Sequence, residues 1–260
     1  MRRYLLLALA LCVGASSAWA APILYAMNDQ TNSLYSIDPN TYALSFIGST
    51  GVAAGDFGDM AYNPGGNTAY WVPGRGNDNL YTINLQTGAA SLVGAHNIDD
   101  MFALAYDTAN STLYGESSNG NFYSISTSNG AATLLGNNGV YPGGLTYRSD
   151  INQLVLLGAG TATFYSINTG TGAATALGGT GFVNDNGLAW DPVNNHFVVD
   201  DWSSKLYTGD PNSYGLTQVG SLPTEFDGII YAGNQVPEPG TLILLGTGVV
   251  GLFGKLRRKF

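Results

Sequence analysis

The chain has one cysteine, two histidines and nine lysines and arginines in 260 residues. Each shortage excludes something. Cys12 stands inside an N-terminal leader, so the remaining chain has no thiol, no disulfide, no thiolate metal site and no cysteine nucleophile. With Leu11 before it, Cys12 also makes a poor lipidation site. Residues 21–240 hold all 18 acids and only Arg75, Arg148 and Lys205 against them, a net charge of −15. A surface so short of basic residues excludes nucleic acid as a partner. It suits a basic surface, a polyamine or a divalent cation, and it keeps an exported protein soluble. The two histidines offer little acid–base chemistry. His96 lies in a loop beside Asp99, His196 opens a strand, and no Ser or Cys elbow accompanies either. No ten-residue window between the two ends keeps a 3.6-residue apolar period, so helices are not expected.

Glycine and tyrosine are plentiful instead, 36 and 16 of them, and they recur in register. Leu34-Tyr35-Ser36-Ile37 returns as Leu80-Tyr81-Thr82-Ile83, Phe122-Tyr123-Ser124-Ile125, Phe164-Tyr165-Ser166-Ile167 and Leu206-Tyr207-Thr208-Gly209. The tyrosines are spaced by 46, 42, 42 and 42 residues. A second line ends at Gly48, Gly94, Gly136, Gly178 and Gly220, and a third at Tyr62, Tyr106, Tyr147, Trp190 and Tyr231. Each unit carries four short runs rich in β-branched and aromatic residues, separated by Gly, Asn, Asp and Pro. Asn129-Gly130 suits a two-residue type I′ hairpin. Four antiparallel strands repeated at this period are the signature of a β-propeller blade.

The repeats start and stop out of step. Ile23-Leu24-Tyr25 matches the second strand of a unit, and Gly228–Tyr231 matches the first. The reading is therefore all-β: a five-bladed propeller of 20 strands whose N- and C-terminal strands close one blade. Closure removes the open edges of a linear array. An open solenoid would need capping repeats, which the sequence lacks.

Residues 1–20 read as a secretory signal peptide. Arg2 and Arg3 come first, then an apolar stretch from Tyr4 to Val13, then Ala18-Trp19-Ala20 as cleavage site. Residues 21–233 form the propeller. Residues 234–260 differ: Val236, Pro237, Glu238 and Pro239 precede an apolar run from Thr241 to Gly254. Lys255, Arg257, Arg258 and Lys259 follow it. As a helix those 14 residues reach roughly 21 Å, against a hydrocarbon core of about 30 Å. They can just span if the bilayer thins, with the basic end cytoplasmic. This three-part tail resembles the PEP-CTERM sorting signal of exopolysaccharide-producing Gram-negative bacteria. The resemblance implies transient insertion in the inner membrane, recognition of Pro237-Glu238-Pro239 by an exosortase, removal of the tail and delivery to the cell surface. The repeats also resemble secreted bacterial propellers, and fold does not carry function.

Propeller topology sorts the acids. Twelve fall on the face that holds the loops between strands two and three and between blades, and five, mostly turn formers, on the other. Asp59, Asp100, Asp185 and Asp227 occupy similar places before inner strands of four blades. Oxygen ligands converging on an axis suit Ca²⁺, so these four are the candidate metal ligands. The blade with Tyr141-Pro142 lacks an acid there. Trp202, between Asp201 and Ser203 on the acidic face, is the candidate platform for stacking a sugar. Trp190 takes a tyrosine's place in the repeat and reads as core. The functional expectation is a non-catalytic binding or structural module of the cell surface or its polysaccharide matrix, with polysaccharide or a surface protein as partner. A second reading is a Ca²⁺-dependent hydrolase or lactonase using Asp59 and Asp227.

Overall fold

The computed structural model describes residues 22–28, 30–53, 55–181 and 185–233, with Asp185 and Asn186 described in backbone only. The leader, the Pro-Glu-Pro motif, the apolar run and the basic end lie outside the described residues. Twenty strands are found among the described residues, and no helix there is long and apolar enough to cross a membrane.

The first blade contains β1 (Ile23–Asn28), β2 (Ser33–Ile37) and β3 (Leu44–Ser49). The second is β4 (Asp59–Asn63), β5 (Thr68–Val72), β6 (Asn79–Ile83) and β7 (Ala90–Ala95). The third is β8 (Met101–Asp107), β9 (Thr112–Ser117), β10 (Asn121–Ile125) and β11 (Ala132–Asn137). The fourth is β12 (Pro142–Arg148), β13 (Gln153–Gly158), β14 (Thr163–Ile167) and β15 (Ala174–Gly179). The fifth is β16 (Asp185–Asp191), β17 (His196–Asp201), β18 (Lys205–Gly209) and β19 (Leu216–Ser221). The last strand, β20 (Gly228–Ala232), returns to pair antiparallel with β1, Leu24 opposite Tyr231 and Ala26 opposite Ile229. Each sheet is a four-stranded antiparallel meander, and β20-β1-β2-β3 completes the ring. The inner strands pack in the cycle β4, β8, β12, β16, β20 and back to β4. The chain is a five-bladed propeller closed as its sequence repeats require.

The apolar pattern explains the packing. A blade's inner and second strands are covered on both faces by neighbouring blades, so β1, β5 and β8 are buried along most of their length. The outermost strands keep one partner and are mostly open to solvent. The core is divided into five wedges, one between each pair of blades. Tyr25, Met27 and Leu34 of the first blade meet Met60, Trp71 and Ile83 of the second. The closing wedge joins Leu24, Ala26 and Ile229 to Ala189, Val198 and Leu206. Burying one such large side chain contributes about 1.5–3 kcal/mol, so every wedge is needed to offset chain entropy.

The recurring glycine of the second line has a packing reason. Gly94 lies against the turn of the next blade, where an added Cβ would overlap the carbonyl oxygen of Asn129. Gly48 and Gly136 meet Thr87 and Thr171 in the same way, and Gly178 and Gly220 meet the rings of Tyr214 and Tyr42. Those contacts run from each blade to the next around the whole ring. The residue before each glycine is a bulge: Ile47, Val93, Leu135, Leu177 and Val219 have no partner on the neighbouring strand. A bulge in every edge strand twists it away from edge-to-edge pairing.

The turn at Asn129-Gly130 departs from the type I′ expectation. Ser126 and Ala131 are the last bonded pair, leaving four residues between them. Gly130 donates to the Ser126 carbonyl at 2.9 Å, and Gly130, not Asn129, is left-handed, with φ 79°. A longer turn needs only one residue of positive φ. In the first and fifth blades that place is held by Tyr42 (φ 57°) and Tyr214 (φ 61°). Asp38, Asn84, Asn168 and Asp210 start the corresponding turns by accepting amides two and three residues on.

Candidate functional site

The inner strands bring one repeat position to the axis. It is Asp59 in β4, Ala103 in β8 and glycine at 144, 187 and 228, as their second-strand partners show. The small residues leave room for one larger side chain, and Asp59 supplies it. Its Oδ1 accepts from Met60 N at 2.7 Å, and its Oδ2 from Leu104 N at 2.8 Å and Leu145 N at 3.5 Å. One carboxyl thus bonds amides of three inner strands. Asp59 is fully buried. Burial pushes its acid well up, opposed by the three amides.

The other three candidate ligands are placed differently. Asp100, in left-handed backbone, faces outward to Arg75, with Nε 3.5 Å from Oδ1, and accepts from Ser118 Oγ at 3.4 Å. Asp185 begins β16, and its side chain lies outside the described residues. Asp227 is buried just above the axis, its Oδ2 accepting from Phe57 N at 2.9 Å. Among the described residues no three His, Cys, Asp or Glu side chains are grouped to hold a metal ion. Physical reasons are visible for two of the four: Asp59 is engaged by amides and Asp100 by Arg75.

The acidic face is also less acidic than its sequence count. Asp59, Glu116, Asp200 and Asp227 belong to it and are all buried. Asp200 lies over Gly187, where a Cβ would overlap its Oδ1. Neither carboxylate oxygen of Asp200 has a hydrogen bond among the described residues. Burial, then the neighbouring Asp227, push its acid well up. His96 is buried as well. It accepts from Ile98 N through Nδ1, and burial lowers its pKa to about 4, so it stays neutral at pH 7. His196 opens β17, with Nε2 3.8 Å from Asp191 Oδ2. Trp190 is core, packed on Phe197.

Trp202 is where sequence reasoning placed it, exposed in the loop after β17, but it does not stand alone. Its ring lies 5.4 Å from Phe57, Phe57 lies 5.4 Å from Phe102, and Phe102 lies 5.9 Å from Tyr141. These four rings come from the fifth, second, third and fourth blades and line the axial mouth. With Asp227 below them they line a shallow cup, open to solvent, with room for about 10 Å³, one water molecule. Arg75 lies 4.9 Å from the centre of the Phe57 ring and 5.5 Å from that of Phe102, paired with Asp56 and Asp100. Phe57 has φ 61°, left-handed backbone like that of the turn residues Tyr42 and Tyr214. In that conformation its backbone N–H donates to Asp227 Oδ2.

Sequence reasoning missed Phe57, Phe102, Tyr141 and Arg75. The signal was present in the repeat. Tyr141 immediately precedes β12 and Phe57 stands two residues before β4, the places that carry acids elsewhere, and Phe102 stands one residue before the axial position.

Comparison with known proteins supports the architecture. No curated protein matches the sequence. A structural-genomics protein of unknown function from Bacteroides thetaiotaomicron VPI-5482 superposes with a TM-score of 0.59 at 15% identity. The match covers 84% of this chain and 66% of that one, just under two thirds of its length. A chain of a nidogen/laminin complex superposes with a TM-score of 0.60, also at 15% identity, covering 84% and 83%. At this identity the likeness shows the fold alone. Residues 15–105 match a domain of unknown function (DUF4394). Residues 235–259 match the PEP-CTERM protein-sorting motif. The chain thus joins a five-bladed propeller to a PEP-CTERM motif, which indicates export, envelope sorting in a Gram-negative bacterium and processing by an exosortase-type enzyme.

Proposed function

We propose that the propeller is a non-catalytic, surface-displayed glycan-binding module that stacks a sugar unit of the envelope or matrix polysaccharide on Trp202 at the mouth of its axial cup. In this reading residues 1–20 are removed as a signal peptide, residues 21–233 act outside the cell, and residues 234–260 are removed after sorting. The observation that carries it is the pair of exposed rings at the axial mouth, Trp202 and Tyr141, held there by Phe57 and the buried Phe102 packed between them. Aromatic faces stack on the apolar faces of pyranose rings, and each such contact contributes about 0.5–1.5 kcal/mol beyond area burial by analogy with aromatic pairs. The sorting motif supports the same reading, because it sends the cup to where polysaccharide lies.

The test is retention of the full chain, purified in non-ionic detergent, on polysaccharide isolated from the host envelope. Trp202→Ala should weaken retention about tenfold, since roughly 1.4 kcal/mol is a factor of ten, and leave the melting temperature unchanged because the side chain is 42% exposed. Equal retention by the variant would overturn the reading.

A further inference from the structure

The cup is too small to take a sugar. It has room for one water molecule, and its base is closed by the buried Asp227, already bonded to Phe57 N. A chain end therefore has nothing to enter, and contact is limited to what stands at the mouth. Two rings are exposed there, Trp202 and Tyr141. Steps of 5.4, 5.4 and 5.9 Å lead from Trp202 through Phe57 and Phe102 to Tyr141. With two rings between the exposed pair, one pyranose cannot stack on both, whereas a run of linked units can. An ion triad borders the same rings. Arg75, half exposed and 4.9 Å from the centre of the Phe57 ring, lies between Asp56 at 3.3 Å and Asp100 at 3.5 Å. The charges of all three act on the Tyr141 hydroxyl. A guanidinium donates and a carboxylate accepts, so both kinds of partner for a sugar hydroxyl stand beside the rings. One cation between two acids leaves the triad negative, within a portion of chain that carries −15. That field repels an anionic chain and leaves an uncharged one unopposed.

We infer that the mouth reads an internal run of an uncharged polysaccharide chain rather than a chain end, with Trp202 and Tyr141 stacking on two separate sugar units. This rests on the glycan-binding reading and names the substrate class within it. Tyr141 then determines the length of chain that is recognised. Each stacked unit adds its own contact, and once one unit is seated the second contact is intramolecular. Affinity therefore rises as the chain lengthens, until both rings are covered, and then flattens. A ligand held by its end gains nothing from added length.

The experiment is calorimetric titration of the full chain in non-ionic detergent with fragments of the host envelope polysaccharide, made by partial hydrolysis and separated by length and by charge. Affinity per mole of uncharged fragment should rise about tenfold from a single sugar to a run of several units, roughly the worth of one added stacking contact, and then change little. Tyr141→Ala should remove most of that rise, and Trp202→Ala should weaken fragments of every length. Melting of Tyr141→Ala is measured in parallel, and if that variant has unfolded the length series of the parent decides alone. An affinity per mole that does not depend on length marks end recognition and overturns the inference. So does an unchanged rise in a folded Tyr141→Ala, or tighter binding of anionic fragments than of uncharged ones of equal length. In each of these cases Trp202→Ala still weakens binding and the glycan reading stands. If neither the fragments nor the intact polysaccharide bind, the glycan reading falls and this inference falls with it.

Discussion

Glu116 shows how a single residue departs from its expected surface role. It is fully buried, with Oε2 accepting from Asn138 Nδ2 at 3.0 Å and Oε1 without a partner among the described residues. Burial raises its pKa to about 8, against a smaller lowering from Asn138. The folded value lies above the ordinary 4.5, so between the two the folded state binds the extra proton. Stability from this group is therefore full below pH 4.5, declines as pH rises towards 8, and is flat above. Glu116→Gln should flatten that decline, raising stability at pH 8 relative to pH 5 by on the order of a few kcal/mol compared with the parent. Urea melts of both proteins at the two pH values check it, and parallel pH dependence would contradict it. The position was legible in the repeat, since Glu116 pairs with an axial residue as Val72 and Leu157 do. An apolar register position marks burial more reliably than a residue's own charge.

At the scale of the element, the strands were legible and their joints were not. The four short runs read in each repeat unit are the four strands of a blade, as in β16, β17, β18 and β19. The bulges at Ile47, Val93, Leu135, Leu177 and Val219 could not be read, because a bulge depends on two strands meeting rather than on one run. The recurring glycine was seen as a repeat, while its cause lies in the next blade. That cause makes a prediction. Gly94→Ala forces a Cβ onto the Asn129 carbonyl oxygen, a backbone atom that cannot rotate away, and should cost about 1–3 kcal/mol as overpacking does. Gly76→Ala faces open space, but its φ of 80° strains any side chain. Gly160, with neither a neighbour within 4 Å nor a positive φ, is the control and should be near neutral. Similar unfolding midpoints for Gly94→Ala and Gly160→Ala would contradict the interblade lock.

For the whole molecule, ring closure could be deduced because the repeats begin with a second strand and end with a first, and β20 pairs with β1 accordingly. Sorting loops by face was also possible, which is why Trp202 was found. The cup was not legible, since its four rings come from positions 57, 102, 141 and 202 and meet only once the ring has closed. Nor could one read that Asp59 spends its oxygens on Met60, Leu104 and Leu145, which depends on how closely small axial residues let the strands approach. The central claim is that glycan binds over Trp202 at the axial mouth. Trp202 is the exposed tryptophan of the described residues, whereas Trp71 and Trp190 are buried. Acrylamide quenching of tryptophan fluorescence, in the parent and in Trp202→Phe, therefore isolates the cup. Saturating host polysaccharide should abolish the difference in quenching between the two proteins. Polysaccharide that binds, as shown by co-sedimentation, yet leaves that difference intact would contradict the account.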